Sequence, residues 1–237
     1  MAPSTGAERR LIPSLMLLTF ATGLIDAASV LGLGRVFTAN MTGNVVFLGF
    51  ALGGSHDVSI AASFIALGGF LAGATVGGRL VRKDARAVLP LVLAIEVGVL
   101  LIATALAALA GDRGSLSRAA LLVLLSMPMG LQNAAVRRLA VPDMTTTVLT
   151  LTLTGIAADS SLAGGASPRL ARRWAAVMAM LVGAFVGAVV LRRGVAWTIA
   201  VAALVDAIAL AGVLSVREQP PTPGGLPAST NPPSTLP

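Results

Sequence analysis

The chain has 237 residues, of which 56% are hydrophobic and 11% are charged, and its mean hydropathy is +0.89. Soluble domains carry about 25% charged residues, so the composition excludes an ordinary soluble fold and predicts one polytopic membrane domain. The net charge of +7 comes from short basic clusters between apolar runs, without tyrosine and with only two tryptophans. This pattern argues against a nucleic-acid partner and indicates topology signals.

Cysteine is absent, and the single histidine, His56, lies beside Asp57 in a predicted loop. The first fact excludes disulfides, iron–sulfur clusters and cysteine-based zinc sites. No serine–histidine–aspartate set can be assembled around a loop histidine. We therefore expect no enzyme activity, no metal site and no cofactor.

Six apolar runs approach the roughly 20 residues that a helix needs to cross hydrocarbon. In chain order they are residues 11–33, 60–80, 88–110, 119–136, 174–191 and 195–216. The first run follows Arg9 and Arg10 but is not ended by a small-residue cleavage site, so we expect an uncleaved span rather than a signal peptide. The sequence thus predicts an all-α polytopic membrane protein.

Two further apolar runs, 41–53 and 145–158, are shorter and begin with polar clusters. They are either short full spans, which gives eight spans, or re-entrant half-helices, which gives six. Six spans place twelve of the 17 Lys and Arg residues inside and five outside, whereas eight spans divide them eight to nine. The positive-inside rule therefore favours six spans with both termini in the cytoplasm.

The chain is predicted to divide into four segments. A cytoplasmic segment at 1–10 precedes two membrane repeats at 11–110 and 111–216, and a proline-rich tail follows at 217–237. The tail lacks apolar periodicity and has few backbone donors between its prolines, so we predict that it is disordered and cytoplasmic.

The repeats are inferred from a polar motif that occurs twice. Residues 23–28 read G-L-I-D-A-A and 40–44 read N-M-T-G-N, while 130–135 read G-L-Q-N-A-A and 143–147 read D-M-T-T-T. Two later landmarks follow in the same order. Residues 67–74 match 181–188, which pairs Gly69 and Gly73 with Gly183 and Gly187, and Glu96 is matched by Asp206. With three spans in each half, the second repeat is inverted relative to the first, as is frequent among secondary transporters.

With these motifs the chain resembles the YoaK-like family of bacterial membrane proteins. The resemblance rests on the two G-L-x-x-A-A segments, on F-T-A-N-M-T-G-N at 37–44 and on M-T-T-T-V-L-T at 144–150. It covers nearly the whole chain except the two ends. It implies a multi-pass protein of the bacterial cytoplasmic membrane with about six spans, and it implies no substrate, cofactor or activity.

The candidate substrate-binding residues are the polar groups of the two motifs. Such groups cost several kcal/mol each in hydrocarbon without a partner, so matching positions in two halves predict one shared site near the midplane. The predicted residues are Asp26, Asn40, Thr42, Gly43, Asn44, Gln132, Asn133, Thr145, Thr146 and Thr147.

Several of these residues have an alternative role. Asp26 binds a coupling ion or proton, or else makes a structural hydrogen bond to a neighbouring helix, for example to Asn or Thr groups of the other half. Asn40, Thr42 and Asn44 suit a ligand at a helix N-terminus but also suit plain N-capping. Gly43 would let a ligand or a facing helix approach the backbone.

Three other features are candidates by position. Thr147, Thr150 and Thr154 share a helix face and either line a hydrated path or bond to carbonyls of their own helix. Glu96 and Asp206 lie near the midplane of their spans, where an acid is a functional candidate. No Lys or Arg lies deep in any span, which favours acids that are protonated or bonded to amides.

Two functions remain open from the sequence. The first is a small-solute or ion transporter or channel whose polar site is formed by both repeats. The second is a non-transporting scaffold or accessory subunit, in which the glycine faces bind a partner and the motifs hold the halves together. The expected partners are the lipid bilayer, a small-molecule or ion substrate and a second copy of the chain.

Overall fold

The computed structural model describes residues 6–110, 114–141, 149–166 and 169–218, and within these ranges all regular secondary structure is helical. Most of the predicted proline-rich tail, from residue 219 onward, lies outside the described residues. The α-helices are α1 (Gly6–Gly32), α2 (Met41–Leu52), α3 (Ile60–Leu80), α4 (Ala85–Ala110), α5 (Ser115–Leu139), α6 (Leu149–Ala158), α7 (Leu170–Val190) and α8 (Val195–Glu218). The predicted all-α fold with six long and two short helices is confirmed.

Six of the described helices, α1, α3, α4, α5, α7 and α8, are long and apolar enough to cross a membrane. The 12 residues of α2 reach only about 18 Å at 1.5 Å per residue, against roughly 30 Å of hydrocarbon. The described part of α6 has 10 residues. Large apolar side chains of both short helices are exposed, among them Phe50 and Leu151. These lengths fit half-helices beside six spans.

The helices α1 and α5 are the most buried of the six. In their most apolar stretches 67% and 61% of the residues are buried, against 22% in α3 and 17% in α7. Helix α1 packs against α7 and α8, α5 packs against α3 and α4, and α4 packs against α8. The first helix of each half thus packs mainly on helices of the other half. This reciprocal packing fits the inverted repeat, which stays a prediction.

Close backbone contact between α3 and α5 depends on glycine. A Cβ atom on Gly73 would overlap the carbonyl oxygen of Met127, and one on Gly77 would lie 2.8 Å from the carbonyl oxygen of Leu131. Only a residue without a side chain allows two helices to approach this closely.

The contact between α7 and α1 has the same form. A Cβ atom on Gly183 would overlap the carbonyl oxygen of Phe20, and one on Gly187 would lie 3.1 Å from that of Leu24. In these contacts Gly183 and Gly187 take the places of Gly73 and Gly77 opposite the motif helices.

The predicted match of Gly69 and Gly73 with Gly183 and Gly187 is therefore wrong by one helical turn. Residues 69, 73 and 77 are all glycine, so a sequence match at four-residue spacing fits two registers equally well. In the helix packing Gly73 corresponds to Gly183, which lies 110 positions later in the chain. Asp206 likewise lies 110 positions after Glu96. The structural register thus agrees with the matched acids.

Helix α6 is held against α7 by a buried arginine. Arg173 Nη1 donates to Asp159 Oδ2 at 2.7 Å and to the carbonyl oxygen of Gly155 at 2.5 Å. A charged donor on a helix-end carbonyl and a carboxylate is a strong pairing. Arg173 therefore positions the short helix as well as contributing positive charge near a membrane surface.

Candidate functional site

In the first motif, Asp26 anchors the segment that leads into α2. Its Oδ1 atom accepts hydrogen bonds from the backbone N–H groups of Thr38 at 3.1 Å and Ala39 at 3.0 Å, and Asn40 Nδ2 donates to Oδ2. Asp26 lies six residues before the last residue of α1, which is about 9 Å along the helix. The segment therefore folds back alongside α1 to reach it, as a re-entrant segment would.

Asn44 closes the same segment from the other side. Its Oδ1 atom accepts from the backbone N–H of Phe37 at 2.8 Å, and its Nδ2 donates to the carbonyl oxygen of Phe37 at 2.6 Å. The ring of Phe37 lies so close to Gly43 that a Cβ atom there would overlap it, and it stacks on Phe47 with centroids 5.7 Å apart. The close approach predicted at Gly43 is thus made by Phe37, within the same motif.

The predicted N-capping by this motif is wrong. Asn40 is the N-cap residue of α2 but its side chain makes no capping hydrogen bond, because its amide is engaged by Asp26. Asn44 bonds to Phe37, and Thr42 is exposed. The structural alternative for Asp26 named Asn or Thr groups of the other half as partners. The hydrogen bonds that Asp26 accepts come instead from residues 38–40 of its own half.

The second motif is divided between two environments. Gln132 is completely buried and its Nε2 donates to Glu96 Oε1 at 3.1 Å. Asn133 is half-buried and donates to the carbonyl oxygen of Met129 at 2.8 Å. The predicted site residues Thr145, Thr146 and Thr147 lie outside the described residues.

The threonine face of α6 is described in part. Thr154 Oγ1 donates to the carbonyl oxygen of Thr150 at 2.9 Å. Thr154 thus follows the self-bonding alternative, in which the hydroxyl satisfies its own helix. Thr147 lies outside the described residues.

Glu96 of α4, Gln132 of α5 and Asp206 of α8 form what we call the buried acid cluster. All three side chains are completely buried, and the two acids are close enough for their charges to interact. Among the described residues, four oxygen atoms of the cluster have no hydrogen-bond partner: Glu96 Oε2, Gln132 Oε1 and both carboxylate oxygens of Asp206. A buried unpaired polar group costs about 1–3 kcal/mol, so stability alone does not account for the cluster.

The motifs identified Gln132 from the sequence but not the two acids beside it. Glu96 and Asp206 were recognisable as charged residues near the middle of apolar spans and as matched landmarks. They lie outside the duplicated motif, so the motif does not include them among the predicted substrate-binding residues. Only the packing of α4 on α5 and α8 brings them to Gln132.

A cavity of about 1020 Å³ adjoins α3 and α5 on the face where Asn133 lies. Its lining includes Phe70 and Ala74 of α3 and three exposed arginines at or just beyond the helix ends, Arg82, Arg137 and Arg138. Gln132 and Asn133 are neighbours on one helix, so the cavity and the buried acid cluster lie on two faces of α5. The cavity combines an apolar wall, one amide and a cationic mouth.

Comparison with known proteins agrees with this architecture. A family profile described as a protein of unknown function (DUF1275) matches residues 14–212, which include both motif copies and the buried acid cluster. The chain is 36% identical over 162 residues to the UPF0700 transmembrane protein YoaK of Bacillus subtilis (strain 168), which covers 67% of this chain and 70% of the relative. No solved structure matches the chain.

Proposed function

We propose that this chain, which belongs to the DUF1275 family of transmembrane proteins as its motifs predicted, transports a small solute or ion. The observation that carries the proposal is the buried acid cluster. Its side chains come from both halves, and four of its oxygens have no partner in the part of the chain that the structure describes. Buried polar groups with a purely structural role are normally hydrogen-bonded, whereas a site that binds and releases a ligand keeps its acceptors available. We place the protein in the bacterial cytoplasmic membrane.

The cavity beside Asn133 supports a route for the solute. Three arginines at its mouth create a positive potential, which raises the local concentration of anions. In the predicted orientation this mouth faces the cytoplasm. We therefore propose a small anion, such as a carboxylate or phosphate, as the solute that enters this cavity. The buried acid cluster, whose acceptor oxygens would repel an anion, takes the coupling cation or proton instead.

The two motif copies then have different roles in transport. The first copy holds the half-helix α2 in place through Asp26 and Asn44, whose polar atoms are engaged by residues 37–40. The second copy supplies Gln132 to the buried acid cluster and Asn133 to the cavity. Substitutions in the second copy should therefore affect flux more than substitutions in the first.

Flux assays on the purified full-length protein in liposomes test the proposal. A panel of small carboxylates, phosphate, amino compounds and inorganic ions should include at least one transported species. Asp206→Asn and Gln132→Leu should lower its flux by about tenfold or more, equivalent to about 1.4 kcal/mol in a barrier. Thr104→Val on α4 is the matched control, because Thr104 bonds only to its own helix at the Leu100 carbonyl and should keep full flux.

Absence of flux for the whole panel, or full flux in folded Asp206→Asn protein, would contradict the proposal. A stoichiometric partner that co-purifies with a flux-inactive protein would favour the scaffold or accessory subunit instead.

The anion preference has its own test. Arg137→Gln should raise the KM for an anionic solute about fivefold, because one charge at close range in water contributes about 1 kcal/mol. Arg192→Gln, an exposed arginine beside the far helix ends, should leave KM unchanged. Equal effects of the two substitutions would exclude the cavity mouth as the anion entry.

A further inference from the structure

We infer that Glu96 and Asp206 hold at least one proton between them at neutral pH, so that the buried acid cluster is a proton-binding site shared by the two halves. Glu96 belongs to the first half and Asp206 to the second. The inference deepens the proposed function, and only the coupling of this proton to solute flux rests on that function.

The charges of Glu96 and Asp206 oppose each other inside the bundle. Both carboxyl groups are completely buried and sense each other's charge. Two carboxylates that share one buried site do not both ionise readily, because burial removes the solvation that would offset their repulsion. At least one group must then be neutral unless a cation occupies the site.

The surrounding helices supply no such cation within the described residues. Helix α5 presents the neutral Gln132 to the acids. Of the two acids of α1, Glu8 lies in the first turn and Asp26 is engaged by residues 38–40. The basic residues of the packed helices stand at or near helix ends: Arg9 and Arg10 of α1, Arg79 of α3, Arg86 of α4, Arg118, Arg137 and Arg138 of α5, Arg172 and Arg173 of α7 and Arg217 of α8. Arg86 and Arg217 lie about 15 Å and 16 Å along their helices from the acids. Charge neutralisation therefore falls to a bound ion.

Hydrogen bonding favours a proton as that ion. The four unpartnered atoms of the cluster are all oxygens, and an ionised carboxylate or an amide oxygen can only accept. Among the described residues the cluster thus has more acceptors than donors, because the Gln132 amide is its one donor group. Protonation of one carboxylate removes one negative charge and converts one acceptor oxygen into an O–H donor.

Asp26 provides an internal comparison. It is also a buried carboxylate within a span, but two backbone N–H groups and the Asn40 amide donate to it. The Asp26 carboxylate therefore receives its hydrogen bonds from the protein and does not need a bound proton to supply a donor. Gln132 donates one hydrogen bond to Glu96 Oε1, so Glu96 Oε2 is the oxygen that remains open to a proton. We therefore regard Gln132 as a positioning residue.

Infrared spectroscopy on the full-length protein in lipid tests the inference directly. The C=O stretching band of a protonated carboxyl group should be present at neutral pH and should disappear as pH rises. The double variant Glu96→Gln/Asp206→Asn should lack the band. Asp26→Asn should keep it, and Gln132→Leu should shift its frequency, because the band reports hydrogen bonding to the acid.

Two results would overturn the inference. One is a wild-type spectrum that lacks the band at neutral pH. The other is a band that is present only in sodium-free buffer, which would assign the site to a sodium ion. Because the spectra require no solute, they separate this inference from the proposed function. A titrating band without flux for any solute retains proton binding and rejects transport, whereas flux without a band retains transport and rejects the proton.

Discussion

At the scale of single residues, buried carboxylates within the bundle have two environments. Asp26 is surrounded by donors from a neighbouring backbone segment, while neither oxygen of Asp206 has a hydrogen-bond partner within the described ranges. Both are aspartates inside apolar helices, so residue type and hydropathy do not distinguish them. The difference lies in the donors that tertiary packing provides.

This distinction predicts the effects of substitutions at Asp26. Asp26→Leu would leave the N–H groups of Thr38 and Ala39 buried without an acceptor, at about 1–3 kcal/mol each. Asp26→Asn keeps an acceptor oxygen and should cost much less. Thermal unfolding in detergent should therefore rank the variants wild type, then Asp26→Asn, then Asp26→Leu. Thr42→Ala is the control, because Thr42 is exposed and its loss should leave the unfolding temperature unchanged.

A flux assay on the Asp26→Asn variant separates a structural role of Asp26 from a role in transport. If Asp26 is structural, folded Asp26→Asn protein should transport at nearly the wild-type rate. A stable Asp26→Asn protein with no flux would instead assign Asp26 to the transport site.

At the scale of the elements, the seam between α3 and α5 depends on Gly73. Met127 lies against its backbone, so a larger residue would force the helices apart. The equivalent seam between α1 and α7 depends on Gly183. Both seams place a motif helix against a peripheral helix.

We expect Gly73→Val and Gly183→Val to destabilise the bundle by about 1–3 kcal/mol or more, as overpacking does. Gly68→Val is the matched control, because nothing lies within 4 Å of a Cβ atom at that position. Resistance to denaturing detergent would measure the difference. Equal resistance of Gly73→Val and Gly68→Val would mean that the seam is not packed as described.

The elements were predicted from the sequence far better than their contacts. Hydropathy and length located all six long helices and both short ones, because the bilayer thickness fixes how many apolar residues a span needs. The glycine register was missed by one turn because glycine recurs at 69, 73 and 77. The fold of residues 33–40 against Asp26 was missed because its partners are backbone N–H groups, which every residue except proline carries.

At the scale of the whole molecule, the six-span arrangement predicts the side of the membrane on which each basic cluster lies. Lys83 and Arg138 should face the cytoplasm and Arg192 the outside. Because the chain has no cysteine, single cysteines at these positions can be labelled without background. A membrane-impermeant thiol reagent added to intact cells should label position 192 and spare 83 and 138. Labelling of 83 and 138 as well as 192 would mean eight spans with the same cytoplasmic N-terminus, and it would contradict the inverted repeat that supports the transport prediction.

The reciprocal packing of the two halves has a consequence for biosynthesis. Helix α1 leaves the ribosome first, but its main partners, α7 and α8, are made last. At about 5–20 residues per second, the roughly 140 residues in between take on the order of ten seconds to synthesise. During this interval α1 stands in the bilayer without its partners, and its carboxylate is tolerable there only because residues 38–40, which emerge directly afterwards, already donate to Asp26. Asp206 needs no such early partner, because α8 is inserted when the helices that enclose it are already in place.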